Sequence, residues 1–399
     1  MSEKNDNKVP NVPNLRFIEH NASWQKCPLK SFTKRVTRKN IGQISKRPLT
    51  ISAQYGLIDQ SEFFDRQIAS KDMSGYYLLK NGEFAYNKSY SNDYPWGAVK
   101  RLDKYECGAL STLYICFNLD NSIVNSDFIS HYFETNKWHK GVSDIAGEGA
   151  RNHGLLNMSV EDYFLTKHYL PSLIEQEKIS YFLNLITARI ETQSKIISNL
   201  ESLIKGIRQR IFSTLNFDVR NSKEYELGSF LSEYSKKNLE NNLILVSVGK
   251  YGIRRRDEIY SKELSDDYSK NKVIEKDSLI IGMGSTQIDI GILSKDEKYC
   301  VSPAYTTYKI SGINSDYLRE YLIHLNSLLS KRYMVIGARQ GKSVNKSELM
   351  QHVFLVHNIE KQLQVVDIFN VFYDKLQKEK DILSLYKKQK AYLLANMFI

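Results

Sequence analysis

The sequence predicts an α+β protein of two similar domains, each followed by a long helix. Three observations carry that prediction. The chain repeats itself: Leu29-Lys30-Ser31-Phe32 and Arg38-Lys39-Asn40 return about 198 residues later as Leu227-Gly228-Ser229-Phe230 and Lys236-Lys237-Asn238. Short apolar runs broken by Gly, Asn, Asp and Ser fill each copy, which is the texture of strands and turns. A heptad of apolar residues closes each copy. The unit is too long for a solenoid or propeller repeat, so it reads as two domains, and therefore two similar binding surfaces.

Taken in order, residues 1–14 are polar, carry Pro10 and Pro13, and read as a flexible arm. Residues 15–170 form the first domain, with strand-like runs such as Tyr76-Tyr77-Leu78-Leu79 and Leu113-Tyr114-Ile115-Cys116-Phe117, and a helix near Ser126–Lys137. Residues 171–215 form a central helical spacer. Residues 216–356 form the second domain, with its helix near Ser315–Ser330, and residues 357–399 form a second spacer. Neither half shows the regular strand–helix alternation of a parallel sheet. Further marks keep their order in both copies: Tyr55-Gly56-Leu57-Ile58 with Tyr251-Gly252-Ile253-Arg254, and Gly149-Ala150-Arg151 with Gly337-Ala338-Arg339.

The helices, expected over 177–212 and 363–398, carry the clearest local signal. Leu183, Ile190, Ile197, Ile204 and Ile211 fall seven apart, with Ile186, Leu200 and Ile207 at the companion position. In the second helix Phe369, Leu376, Leu383 and Met397 take the first position, and Phe372, Tyr386 and Leu393 the companion. Gln193 and Glu379 interrupt the same heptad in each helix, and Lys390 interrupts the second alone. A 3.5-residue period favours left-handed packing against a partner helix, and the matched phase favours the two helices packing on each other as a coiled coil. At 1.5 Å per residue each would be a rod of roughly 54 Å, long enough to hold two domains apart.

Composition narrows the function. The chain has 399 residues, 42% hydrophobic and 25% charged, with a net charge of +11. The excess is shared: residues 1–170 hold 22 basic against 18 acidic side chains, and residues 216–356 hold 21 against 18. A polyanion is a plausible partner, and nucleic acid is the leading partner class. Cys27, Cys107, Cys116 and Cys300 show neither paired spacing nor a CxxC, as expected of reduced thiols in a cytoplasmic protein. No run of 18 apolar residues suggests a membrane span.

Motifs of catalysis are missing. Gly337-Ala338-Arg339-Gln340-Gly341-Lys342-Ser343 resembles a phosphate loop but has three residues between its glycines where four are needed. Its first-copy counterpart, Gly149-Ala150-Arg151-Asn152-His153-Gly154, has no Gly-Lys-Ser at all. Gly282-Met283-Gly284 lacks the third glycine of a dinucleotide fingerprint and reads as a tight turn. There is no HExxH, no Cys/His cluster, and no Asn-Pro-Pro-aromatic tetrapeptide of an amino-methyltransferase. No catalytic residue, metal or bound cofactor is expected, and the chain reads as a non-enzyme.

Polar and basic loops stand instead at matched places. The first copy offers Asn87-Lys88-Ser89-Tyr90 and Arg151-Asn152-His153. The second offers Lys250-Tyr251, Arg254-Arg255-Arg256, Ser285-Thr286-Gln287 and Arg339-Gln340 with Lys342. Lys39 and Lys237 complete the candidate set. Arg and Lys pair with guanine, and Asn and Gln with adenine, in the major groove. A run of charge is more often a solvated face; matched position with different residues favours two different reading surfaces.

In the order of its parts the sequence resembles the specificity subunit of type I restriction–modification systems, over nearly its whole length. The resemblance rests on the Trp24…Leu29 and Tyr225…Leu227 domain openings, Leu245-Val246-Ser247-Val248 before Tyr251-Gly252-Ile253, Gly82-Glu83-Phe84-Ala85-Tyr86-Asn87, and the helix start Glu175-Gln176-Glu177-Lys178-Ile179. One mark departs: His357-Asn358 stand where Pro171-Ser172 precede the first helix. The resemblance implies that each domain reads one half of a bipartite DNA site. It implies that the helices set the unread gap and dock two methyltransferase subunits, which would hold S-adenosylmethionine, and that two restriction subunits would bring ATP and Mg²⁺. The alternatives are a helix-mediated scaffold without specific DNA binding, and a nucleotide hydrolase using Gly337–Ser343.

Overall fold

A computed structural model describes residues 11–52, 55–63, 70–91, 94–146, 154–213, 221–249, 252–259, 267–336 and 342–399. The chain divides into two units, Met1–Ser194 with Asp381–Ile399, and Lys195–Lys380.

In the first unit the elements run β1 (Gln25–Pro28), β2 (Thr33–Arg35), β3 (Leu49–Ser52), β4 (Gly56–Asp59), α1 (Gln60–Phe63), β5 (Tyr77–Lys80), β6 (Phe84–Asn87), β7 (Ala98–Arg101), β8 (Cys107–Leu110), β9 (Ile115–Leu119), α2 (Ser126–Tyr132), α3 (His139–Ser143), α4 (Val160–Leu165) and β10 (Lys167–Leu170). A helix, α5 (Leu173–Phe212), follows and ends in the second unit. The central antiparallel sheet has the order β2-β9-β6-β7; beside it lie the pairs β3-β4, β5-β8 and β1-β10. Strand β6 is buried on both faces. Phe84 and Tyr86 join an aromatic layer in which Phe84 stacks on Phe117 at 5.5 Å and Tyr86 on Tyr163 at 4.6 Å. Ala85, pointing the other way, packs with Leu79, Leu110 and Cys116. That two-sided burial explains why the segment reads as an unbroken apolar run.

The second unit continues with β11 (Ser222–Glu226), β12 (Leu231–Tyr234), β13 (Val246–Gly249), β14 (Gly252–Arg255), β15 (Lys272–Ile274), β16 (Ser278–Met283), β17 (Ile288–Leu293), β18 (Tyr299–Val301), β19 (Thr306–Ile310), α6 (Ser315–Tyr333), β20 (Met334–Ile336), β21 (Lys342–Val344), α7 (Lys346–Met350) and β22 (Val353–His357). A last helix, α8 (Ile359–Asn396), ends back in the first unit. The sheet order β12-β19-β16-β17, with pairs β13-β14, β15-β18 and β11-β22, reproduces all ten strands of the first domain, and the second adds the pair β20-β21. Even the isolated bridges recur: Lys39–Tyr77 and Pro48–Ala109 return as Lys237–Lys272 and Leu245–Cys300. The repeat read from scattered sequence marks is thus a repeat of topology.

Both long helices start about a turn before their heptads. Gln176 and Gln362 explain it. Each is buried; the Oε1 atom accepts the N–H of Asn125 or Asn314 at 2.9 Å, and the amide nitrogen donates to the carbonyl of Pro171 at 3.0 Å or of His357 at 2.8 Å. Asn125 and Asn314 in turn cap α2 and α6 through their side chains. The clip uses a backbone carbonyl, which any residue offers, so His357 in place of proline costs it nothing. Ser172 and Asn358 sit at the matched cap, accepting from the N–H groups of Glu175 at 3.4 Å and Lys361 at 3.0 Å.

Of the heptad residues, Leu183, Ile186, Ile197, Ile204, Phe369, Leu376 and Leu393 are buried, and Ile190, Leu200, Ile207, Phe372, Leu383 and Tyr386 are half-buried. Within the first unit, Leu183, Ile186 and Ile190 share a core with Leu393, Leu394, Met397 and Phe398. Within the second, the Arg208 guanidinium lies 5.6 Å from the Phe369 ring centre. Lys390 breaks the heptad because its ammonium meets Glu134, at 2.9 Å.

The expected flexible arm needs correction at its end, residues 1–10 lying outside the described residues. Asn11 accepts the Trp24 N–H at 2.8 Å, Leu15 donates to the Asn396 carbonyl at 2.9 Å, and Pro13 is buried. Arg16 and the Trp24 indole both donate to Glu175, itself buried. Among the described residues no helix is long and apolar enough to cross a membrane.

Candidate nucleic-acid interface

In the first domain, β6 ends at Asn87, whose Oδ1 accepts the Ser89 N–H at 3.0 Å and turns the chain. The loop is then laced to the segment before α4. Leu156 donates to the Lys88 carbonyl at 3.0 Å, Ser89 bridges Leu155, and Tyr90 donates to the Gly154 carbonyl at 3.1 Å. Arg151, Asn152 and His153 lie outside the described residues, immediately before that lacing. The loop closes at Gly97, where a Cβ would meet the Asn87 carbonyl oxygen at 2.1 Å. Below it the Tyr86 hydroxyl donates to the Trp96 carbonyl at 2.8 Å. A side chain such as Tyr90, exposed by 41%, therefore projects from a fixed base.

The second domain repeats the device with other residues. The β16–β17 loop carries Ser285, Thr286 and Gln287. A Cβ at Gly284 would meet the Gln287 carbonyl oxygen at 2.4 Å and Asp289 Oδ1 at 2.5 Å, so only glycine fits. Lys342, at the start of β21, donates its ammonium to the Ser285 carbonyl. The exit of the loop is tied to α6: Ile288 donates to Ser330 Oγ at 2.9 Å and accepts from Asn326 at 3.1 Å. Arg339 and Gln340 lie outside the described residues, as do Lys250 and Tyr251 between β13 and β14.

Arg254 and Arg255 on β14 are exposed, and Arg256 is half-buried with Nη1 3.5 Å from Ser247 Oγ. The Arg255 guanidinium pairs with Asp257 at 2.6 Å. That hydrogen bond holds the Asp257 carboxyl below its ordinary range and raises the guanidinium further. Part of the hairpin's positive charge is thus offset locally. Arg254, Arg255 and Gln287 line one cleft of about 1570 Å³, together with Lys205 and Gln209 of α5 and Lys380 of α8. Sequence reasoning missed those three because heptad positions outside the seam look like ordinary solvated positions.

Among the described residues, no hydrogen bond or bridge joins Lys39 or Lys237 to these loops. The Lys39 ammonium donates to the Gly75 carbonyl at 2.8 Å and lies 4.5 Å from the Tyr77 ring centre, and Lys237 bridges Lys272. Both serve the same strand junction in their own domain.

The near-phosphate loop is resolved by its second half. A phosphate loop passes from strand through glycines into a helix that its Lys and Ser open. Here Lys342-Ser343-Val344 is a strand, paired antiparallel with Met334–Ile336, and the next helix waits until Lys346. Gly282 proves not to belong to a turn: it lies inside β16, paired with Asp289, where its missing side chain admits the Tyr305 ring, 2.3 Å from where a Cβ would sit.

No family model matches the chain, and no curated protein does. Solved structures do. Over 93% of its length the chain is similar to 96% of a chain from a study of complex assembly and conformational transition of the type I R-M system, with 14% identity and a TM-score of 0.55. Over 97% it is similar to 99% of the type I restriction–modification system S subunit from M. genitalium, with 15% identity and a TM-score of 0.52. The likeness runs end to end in both, and at this identity it establishes that the chain shares their fold.

Proposed function

We propose that this chain is the DNA sequence-specificity subunit of a type I restriction–modification complex. Residues 15–170 and 216–356 would each read one half of a bipartite site, and the helices of 171–215 and 357–399 would pair as an antiparallel coiled coil. The observation that carries the reading is a ten-strand framework present twice, with loops at matched places that differ in chemistry. One framework with two loop sets is what two different half-sites require. The contact residues proposed are Asn87–Tyr90 and Arg151–His153 in the first domain, and Lys250–Arg256, Ser285–Gln287 and Arg339–Lys342 in the second. The end-to-end likeness in fold to a type I S subunit supports the same reading.

In this reading the chain performs no catalysis. Two methyltransferase subunits with S-adenosylmethionine, and two restriction subunits with ATP and Mg²⁺, supply the chemistry. The helices offer a surface for docking. Ile174, Tyr181, Leu185, Ile196 and Leu203 of α5 are exposed, and at 3.6 residues per turn they share one face within roughly 60°, apart from the seam. Val371, Ile382, Leu385 and Tyr392 give α8 a like stripe. A scaffold that only docks helices would use the stripes alone, with no use for two divergent loop sets. Exchanging residues 216–356 for another such domain is expected to change one half of the methylated site; a change in both halves, or in neither, overturns the proposal.

A further inference from the structure

We infer that the two junctions between recognition domain and helices are keyed, so that each domain seats only in its own position. The inference stands on geometry alone and does not depend on DNA binding. Both junctions share an apolar and hydrogen-bonded core: the glutamine clip, and a terminal phenylalanine on the domain helix. Phe398 lies 5.1 Å from Phe128, and Phe212 stacks at 4.6 Å on Tyr321. Upon that shared core sit two different polar locks.

In the first unit, α2 carries His131, and Glu134 stands in the turn just past its C-cap Phe133. Glu134 meets Lys390 of α8 at 2.9 Å, and His131 Nε2 lies 2.8 Å from Asn184 Oδ1 of α5. Asn184 also donates to Asp127, at 2.8 Å. In the second unit, α6 carries Glu320, with no exposed surface. Its Oε2 accepts from Arg208 Nε at 2.9 Å and Nη2 at 2.8 Å, its Oε1 from the Tyr373 hydroxyl at 2.9 Å and from Arg319 at 3.1 Å.

Aligning the copies turns this difference into a shift by one helical turn. With the caps Asn125 and Asn314 superposed, His131 matches Glu320 and Glu134 matches Ile323. With Phe212 and Phe398 superposed, Lys390 matches Ile204 and Leu394 matches Arg208. The first junction thus puts carboxylate and cation at one pair of positions, with histidine and leucine at the other. Where the first has its ion pair, the second has a buried Ile204 on α5 and a solvent-facing Ile323 on α6, and it places carboxylate and cation at the other positions. A domain seated at the wrong junction would set Glu134 against the position of Ile204 and His131 against that of Arg208. A buried charge left without its partner is far worse than either an ion pair or an apolar pair. The keys therefore work mainly by excluding the wrong seating.

The test uses the full-length chain. His131→Glu with Glu134→Ile gives the first domain the second key, and Lys390→Ile with Leu394→Arg gives its helix the matching half. Each pair of substitutions alone is expected to lower the thermal midpoint of the first unit by about 5 °C or more, or to leave it unfolded. The four together are expected to recover at least half of that loss. The reciprocal exchange, Glu320→His and Ile323→Glu with Ile204→Lys and Arg208→Leu, is expected to behave alike in the second unit. If either combined variant loses the sum of its two halves, or remains unfolded with them, the junctions are not keyed.

Discussion

Replacing Gln362 by leucine tests how the halves are built. The side chain is 4% exposed, and its amide closes two hydrogen bonds, accepting from Asn314 N–H at 2.9 Å and donating to the His357 carbonyl at 2.8 Å. Leucine is close in size, so little cavity arises, but a buried donor and a buried acceptor lose their partners. Each such loss costs about 1–3 kcal/mol, so the substitution is expected to destabilise by about 3 kcal/mol. For a unit of this size that is a fall of about 6–12 °C in thermal midpoint. Calorimetry of the full chain reads it, and Gln176→Leu is expected to lose at least as much in the other unit, since the same two bonds recur and its amide also donates to the Ile123 carbonyl at 3.3 Å. Pro171→His is expected to cost less than about 1 kcal/mol because the carbonyl remains. A loss below about 1 kcal/mol for Gln362→Leu would refute the clip as the element that starts each helix.

Three more outcomes are expected. Burial pushes the Glu134 carboxyl up, but His131, whose Nδ1 lies 4.0 Å away, and the charge of Lys390 outweigh it and hold it down at about 2. A folded value below the unfolded one adds stability that is complete above about 4.5 and lost as pH falls from there towards about 2. Glu134→Gln is therefore expected to flatten the acid limb of the urea midpoint measured against pH. Gly282→Ala, which sets a methyl 2.3 Å from the Tyr305 ring, is expected to cost about 1–3 kcal/mol in chemical denaturation; a neutral result would show that the ring is free to move. Arg254→Ala with Arg255→Ala is expected to lower the salt slope of DNA binding by about 1–2 without changing the preferred sequence; an unchanged slope removes the hairpin from the interface.

Much of this architecture was legible because it is written twice. Isolated marks such as Arg38-Lys39-Asn40 mean little alone, but their return in order fixes a shared framework, and the strand orders of the two domains agree. The heptads revealed the helices, while missing their first turns, because those turns are set by Gln176 and Gln362 through side-chain bonds rather than by periodicity. The meaning of Lys390 was illegible as well, since its partner Glu134 lies on another element. Gly341-Lys342-Ser343 was set aside on glycine spacing, because a motif does not say whether a strand or a helix follows. The loops Asn87–Tyr90 and Ser285–Gln287 were legible as matched positions, but their lacing to Gly154–Leu156 and Lys342 depends on contacts between distant segments. The hold of Lys39 on the Gly75 carbonyl was equally invisible, since the two residues lie on separate segments.

As proposed, this chain directs methylation to a bipartite DNA site. Mapping methylated adenines across a genome, in strains with and without the chain, tests it most directly. One asymmetric split sequence is expected to be methylated only when the chain is present. Identical maps in the two strains would contradict it.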